Sequence, residues 1–177
     1  MSQSSQKEYQ ISISKEELSA LPSADYFGSV VVVENKDDAQ AALPILRESS
    51  IIGFDTETRP TFKKGHTNNV ALMQLSTPTK CFLFRINKIG LMPEIVQLLE
   101  DPEKLKVGLS IHDDFNRLCK TTNLIPGGFI DLPSYVKTFK IADLSLQRIY
   151  AILFDHIVYT VFIFDICSRA MGCCRRH

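Results

Sequence analysis

Between Ile51 and Thr58 the chain reads Ile-Ile-Gly-Phe-Asp-Thr-Glu-Thr, an apolar strand over Ile51 to Asp55 that ends on two carboxylates, Asp55 and Glu57. A strand sends alternate side chains to opposite faces, so these two acids share one face. Held together at the end of an apolar strand they repel each other and lose hydration. The arrangement is tolerable mainly where a cation or a positive side chain neutralises them. Hard oxygen donors of this kind suit Mg²⁺ or Mn²⁺. The spacing alone is equally compatible with a solvated strand end carrying two exposed acids.

The rest of the chain places that strand in an α/β fold. Val30 to Val33 is a β-branched run that reads as a buried strand, and Asp37-Asp38 caps a helical stretch whose apolar positions are Ala41, Ala42, Ile45 and Leu46. Pro44 falls inside that helix, where a lost backbone bond costs about 3 kcal/mol. Asn69 to Ser76 and Lys80 to Ile86 are two further strands joined by Thr77-Pro78-Thr79, which makes a meander with the acidic strand. A helix over Pro93 to Glu100, a short strand over Lys106 to Ser110, a helix over His112 to Thr121, a strand over Phe129 to Leu132 and a helix over Leu144 to Phe154 follow. Meander and alternation together imply a mixed sheet.

The second acidic segment is Val107-Gly108-Leu109-Ser110-Ile111-His112-Asp113-Asp114-Phe115-Asn116-Arg117-Leu118, a strand end followed by a helix with acids in its first turn. Acids there complement the helix dipole and free N–H groups whatever the function. Their position after a strand end supplies the functional reading, because ligands of open α/β sheets collect at carboxyl ends of strands.

At 177 residues and 45% hydrophobic content the chain is long enough for one domain with a substantial core. Twenty basic residues balance twenty acidic ones, so attraction to a polyanion has to come from local charge placement. Cys81, Cys119, Cys167, Cys173 and Cys174 lack the paired spacing of a zinc site and suit reduced thiols. No apolar segment follows Lys7 in the polar amino terminus, so a cytoplasmic location is expected. Ser14 and Glu17 form a capping box within a leader that occupies residues 1–28.

From about Val30 to Phe154 these segments resemble the DEDD superfamily of 3′-5′ exonucleases, and most closely its RNase D-like branch with a Tyr in the third motif. Phe54-Asp55-Thr56-Glu57 resembles the first motif, Asp-x-Glu, and Asn69 to Ser76 the strand that follows it. Val107 to Leu118 resembles the second motif and aligns Asp114, rather than Asp113, with the third carboxylate. Phe129-Ile130-Asp131-Leu132 and Leu144 to Tyr150 match a later strand and helix.

The resemblance implies a ribonuclease H-like mixed sheet flanked by helices. It also implies hydrolysis of phosphodiester bonds from the 3′ end of a nucleic acid by two divalent ions, Mg²⁺ or Mn²⁺. Asp55 would bridge both ions, Glu57 would hold the one nearer the attacking water, and Asp114 would fix the second, partly through water. Two cations about 4 Å apart suit an in-line phosphoryl displacement. Arg59, Lys63, Lys64 and His66, just after the first motif, are candidates for phosphate contact, with a solvated loop as the plain alternative.

The family's third motif sets a Tyr one helical turn before a final Asp, and this chain lacks it. Tyr159 and Asp165 stand six positions apart, and Tyr150 and Asp155 five. His156 is followed five positions later by Val161, so a His variant is also missing. The domain is therefore expected to run over 29–155, with 156–177 a divergent tail whose character suggests a shifted reading frame. Its apolar run, Ile157 to Phe164, is too short to span a bilayer. A chain of this kind is expected to be a weak or inactive nuclease and to leave Leu146, Ile149 and Leu153 partly exposed. Two other functions fit part of the pattern. One is a catalytically dead exonuclease fold that binds nucleic acid or a protein. The other is a haloacid dehalogenase-type phosphatase, whose Asp-x-Asp-x-Thr motif Asp55-Thr56-Glu57-Thr58 matches except at the second acid.

Overall fold

The computed structural model describes residues 9–24, 28–58, 68–120 and 122–158. The elements in chain order are α1 (Lys15–Ala20), β1 (Ser29–Val33), α2 (Lys36–Glu48), β2 (Ile51–Thr58), β3 (Val70–Ser76), β4 (Lys80–Phe84), α3 (Ile86–Ile89), α4 (Pro93–Glu100), β5 (Leu105–Gly108), α5 (His112–Cys119), β6 (Phe129–Asp131), α6 (Leu132–Lys137) and α7 (Leu146–Phe154). They fall into two compact units.

Among the described residues the larger unit holds six strands in one mixed sheet of order β1-β4-β3-β2-β5-β6. The meander forms as its turn residues require, with β3 antiparallel to both β2 and β4. β5 pairs parallel with β2 and with β6, each crossover made by helical segments. Phe54, Met73, Leu75 and Phe84 from the strands and Leu46, Ile95 and Leu99 from α2 and α4 are buried in a single apolar cluster. Each such side chain contributes roughly 1.5–3 kcal/mol on burial. β2 also runs further than its apolar letters suggest, so Asp55 and Glu57 lie within the strand rather than at its end.

Two sequence expectations need correction here. β1 is an edge strand bonded to β4, and Val30 and Val32 are 47% and 50% exposed while Val33 alone is buried. The β-branched run reports strand propensity, which an edge position satisfies without burial. Helix α2 is capped by Asn35, whose side chain accepts from the Asp38 N–H at 2.9 Å; Asp37 and Asp38 occupy the first turn. Pro44 stays inside α2 on its exposed side, while Ala39, Ala42, Leu43 and Leu46 anchor the opposite face. α3 and α6, each shorter than two turns, have no clear apolar period and escape a sequence reading.

The smaller unit gathers the described residues 9–24 with 132–158. Ser14 and Glu17 close the expected capping box on α1. Asp143 accepts from the Ile13 N–H at 2.8 Å, and Arg148 donates to the Ile13 carbonyl at 2.6 Å while pairing with Asp143 at 3.3 Å. Ile157 forms a parallel bridge with Ser23. Leu146 and Ile149 are buried, against the expectation of exposure, and Leu153 is half-buried.

Candidate active site

The site is built where β2 outruns its neighbour. β5 pairs with β2 only over Ile51 to Gly53, so Phe54 to Thr58 continue past the end of β5, and the chain leaving β5 turns back toward them. Gly108 permits the turn. A Cβ there would lie 2.2 Å from Ile111 Cγ2 and 2.8 Å from the Phe54 carbonyl oxygen, closer than any side chain tolerates. Ser110 then adopts φ 55, a left-handed conformation costly for a residue with a Cβ.

Helix α5 starts immediately after, at His112, with no side-chain cap of its own. The carboxylate of Asp131, at the end of β6, accepts from the Ile111 N–H at 3.3 Å and takes over part of the cap's role. Phe115 stacks on Phe54 with ring centroids 5.8 Å apart, and both meet Phe129 edge-on at 4.6 and 5.1 Å. These aromatic contacts fix the rotation of α5 about its axis.

That rotation turns Asp114 inward and leaves Asp113 exposed. Asp114 is only 7% exposed, and its Oδ1 accepts a hydrogen bond from Thr56 Oγ1 at 2.5 Å. Asp55 is half-buried and accepts from the Thr56 N–H at 2.9 Å; Glu57 is exposed. Burial, followed by the charge of Asp114 and then that of Glu57, pushes the Asp55 carboxyl up to about 6. Burial also raises Asp114, with Asp113 and Glu57 adding to it, against the opposing pull of the Thr56 hydrogen bond and the Arg117 charge. Negative charge is thus concentrated in a partly desolvated place.

All three acids are oxygen donors of the type that Mg²⁺ and Mn²⁺ favour. They do not stand as a closed ligand shell, since among the described residues no group of three or more His, Cys, Asp or Glu could hold a metal ion. Arg59, Lys63, Lys64 and His66 lie outside the described residues, as do Tyr159 and Asp165. Tyr150 is fully buried on α7 against Phe154, whereas Asp155 is the exposed, left-handed residue after that helix. Gly108, Asp131 and Thr56 all fall within motif-like segments, yet no local signal gives them a role. Their functions depend on neighbours distant in sequence.

A model of the 3′-5′ exonuclease family matches residues 30–166, more than half of the chain. This chain belongs to the 3′-5′ exonuclease family. The chain resembles the mouse bifunctional 3′-5′ exonuclease/ATP-dependent helicase WRN, with 29% identity over 118 residues that make up 63% of this chain and 8% of that protein. It therefore spans a small part of that relative's length.

Solved structures show that this chain has an RNase D-like fold. The Aedes aegypti Nibbler EXO domain matches with a TM-score of 0.62 and 22% identity over 72% of this chain and 69% of that one. Trypanosoma brucei RNase D in complex with RNA U12 gives 0.55 and 22%, over 61% and 39%. The EXD2 exonuclease domain soaked in Mg and GMP gives 0.56 and 22%, over 84% and 85%. Among the described residues no helix is long and apolar enough to cross a membrane.

Proposed function

We propose that this chain hydrolyses phosphodiester bonds at the 3′ end of a nucleic acid, with divalent cations held by Asp55, Glu57 and Asp114. The carrying observation is Asp55, half-buried and raised to about 6 by desolvation and by the charges of Asp114 and Glu57. An acid in that setting gains most from a hard cation. Bound there, Mg²⁺ or Mn²⁺ would supply charge stabilisation at the scissile phosphate and make water easier to deprotonate. Asp55 would hold the shared position, Glu57 the side nearer the attacking water, and Asp114 the second cation, partly through water. The exposure of Glu57 leaves that carboxylate open to substrate and solvent. Arg59, Lys63, Lys64 and His66 would contact phosphates of the strand. The Mg in the EXD2 crystals and the RNA bound to RNase D support a divalent cation and a nucleic-acid substrate.

The test uses a single-stranded oligonucleotide labelled at its 5′ end, with Mn²⁺, Mg²⁺ or chelator. Progressive shortening with release of mononucleotides, lost with chelator and in Asp55→Asn, is the expected outcome. Shortening that persists in Asp55→Asn at the original rate overturns the assignment.

A second reading has its own observation. The three acids are not gathered into a metal-holding group, and no Tyr-x-x-x-Asp follows them, which favours a fold that binds nucleic acid or a protein without cleaving it. Retarded migration of the oligonucleotide with no cleavage in Mn²⁺ would establish it. The phosphatase alternative has no support from the family match.

A further inference from the structure

We propose that residues 9–24 form a strap that opens and closes on the 132–158 segment as one cooperative unit, with Asp143 and Arg148 as its latch. The strap is pinned at two feet. At the first, the Ile11 carbonyl accepts from the Ala142 N–H at 2.8 Å, the Ile13 N–H donates to Asp143 Oδ2 at 2.8 Å, and Arg148 donates to the Ile13 carbonyl at 2.6 Å. Tyr9, just before it, meets the Phe139 ring edge-on with centroids 6.1 Å apart. At the second, the Ile157 N–H donates to the Pro22 carbonyl at 2.9 Å, and the Ile157 carbonyl accepts from the Ala24 N–H at 2.8 Å. Between the feet the chain arches through α1, with Ile13 and Leu18 as its buried apolar anchors.

Cooperativity follows from the length of α1. Its six residues are too few to hold a helix in water, where about 12–15 are needed for even marginal stability. α1 therefore persists only while both feet are fastened, and its loss frees Leu18, so the feet open together. Each hydrogen bond at the feet engages a main-chain group of the strap. From the other side Ala142 and Ile157 also offer main chain, whereas Asp143 and Arg148 offer charged side chains. The N–H of Ile13 faces the anion and its carbonyl faces the cation, and the two charges pair with each other at 3.3 Å. The Asp143 and Arg148 side chains are 17% and 35% exposed, so water competes only partly for these charge-assisted bonds. That pair is where side-chain chemistry decides whether the strap is shut.

The experiment is amide hydrogen exchange of the full chain, resolved by NMR well below the unfolding midpoint, in the unaltered protein, Arg148→Met and Ser14→Ala. Arg148→Met keeps the apolar stem and removes the donor to Ile13. Ser14→Ala leaves the latch in place and removes the side-chain cap of α1 at an exposed position. The amides of Ala142, Ala24 and Ile157 should exchange faster by a common factor, about tenfold or more in Arg148→Met and about fivefold in Ser14→Ala, while those of β2 and β3 keep their rates. If Arg148→Met quickens Ala142 but not Ala24 and Ile157, the feet open separately and the strap is not one unit. If the β2 and β3 amides quicken by the same factor, or Arg148→Met fails to fold, opening is part of global unfolding and the proposal falls. An unchanged Ala142 in Arg148→Met means that the pair is no latch. Unchanged feet in Ser14→Ala mean that α1 does not couple them, which overturns the proposal as well.

Discussion

The carboxylate of Asp131, at the end of β6, accepts a hydrogen bond from the backbone N–H of Ile111 at 3.3 Å. It joins the edge strand to the turn that launches α5, and so helps to fix where Asp114 begins its approach to β2. Asp131→Ala removes the acceptor from a partly buried N–H and should destabilise the fold by about 1–3 kcal/mol. Asp131→Asn keeps an acceptor oxygen and should cost less. Urea unfolding followed by circular dichroism compares the two, and equal costs would mean that the Ile111 contact carries none of the effect.

Gly108→Ala should be more severe than its size suggests. The new methyl meets the Phe54 carbonyl at 2.8 Å and Ile111 Cγ2 at 2.2 Å, so the turn must move away from β2. Overpacking of this kind costs about 1–3 kcal/mol. The displacement also carries Asp114 away from Thr56. Lower stability with weakened Mn²⁺ binding is expected, and a crystal structure of the variant with the Thr56 contact intact would contradict it.

Asp55 gives stability a definite pH dependence in the absence of metal. Its carboxyl titrates near 6 in the folded chain, above the ordinary value of 3.8, so the folded state binds the proton more tightly than the unfolded one. Stability from this group is highest below about pH 4, falls as pH rises to about 6, and is level beyond. Allowing for partial exposure, the loss is on the order of 2 kcal/mol. Asp55→Asn should flatten this slope and raise the unfolding midpoint at pH 7. A midpoint at pH 7 below that of the parent would show that the ionised carboxylate is already neutralised within the fold.

Lys106 is fully buried and donates to the Leu98 and Asp101 carbonyls at 3.0 and 2.7 Å, with its ammonium 5.0 Å from the centre of the Phe129 ring. It closes the carboxyl end of α4. Lys106→Met keeps the apolar stem but leaves both carbonyls without this donor, at a cost of roughly 2–4 kcal/mol near neutral pH. Burial lowers the amine from 10.5 to about 8, so the folded state releases its proton first and this group's contribution rises between about pH 8 and 10.5. Thermal unfolding across that range should show the rise in the parent and its absence in Lys106→Met.

Local letters determined the elements of this chain. The apolar runs at Ile51, Asn69 and Lys80 with a turn at Thr77-Pro78-Thr79 dictate a meander, and the apolar face of α4 and its proline at the first position dictate a helix from Pro93. Capping chemistry was equally local at Ser14 and Glu17. At α2 the choice among Asn35, Asp37 and Asp38 was not, because all three residue types cap well and backbone geometry selects one. The four valines of β1 announced a strand but not its place at the sheet edge, since strand propensity is indifferent to which neighbours exist.

The acidic motifs were legible for the same reason: spacing within a strand puts Asp55 and Glu57 on one face, and a helix start attracts Asp113 and Asp114. Which of the latter pair turns inward was decided by tertiary packing. Phe54, Phe115 and Phe129 set the rotation of α5, Gly108 lets the turn approach β2, and Thr56 then bonds Asp114 across 58 positions of sequence. No local pattern encodes a contact of that separation, because it depends on where the parallel pairing of β5 with β2 stops. Desolvation, which raises both Asp55 and Asp114, likewise exists only once the sheet and helix have closed around them.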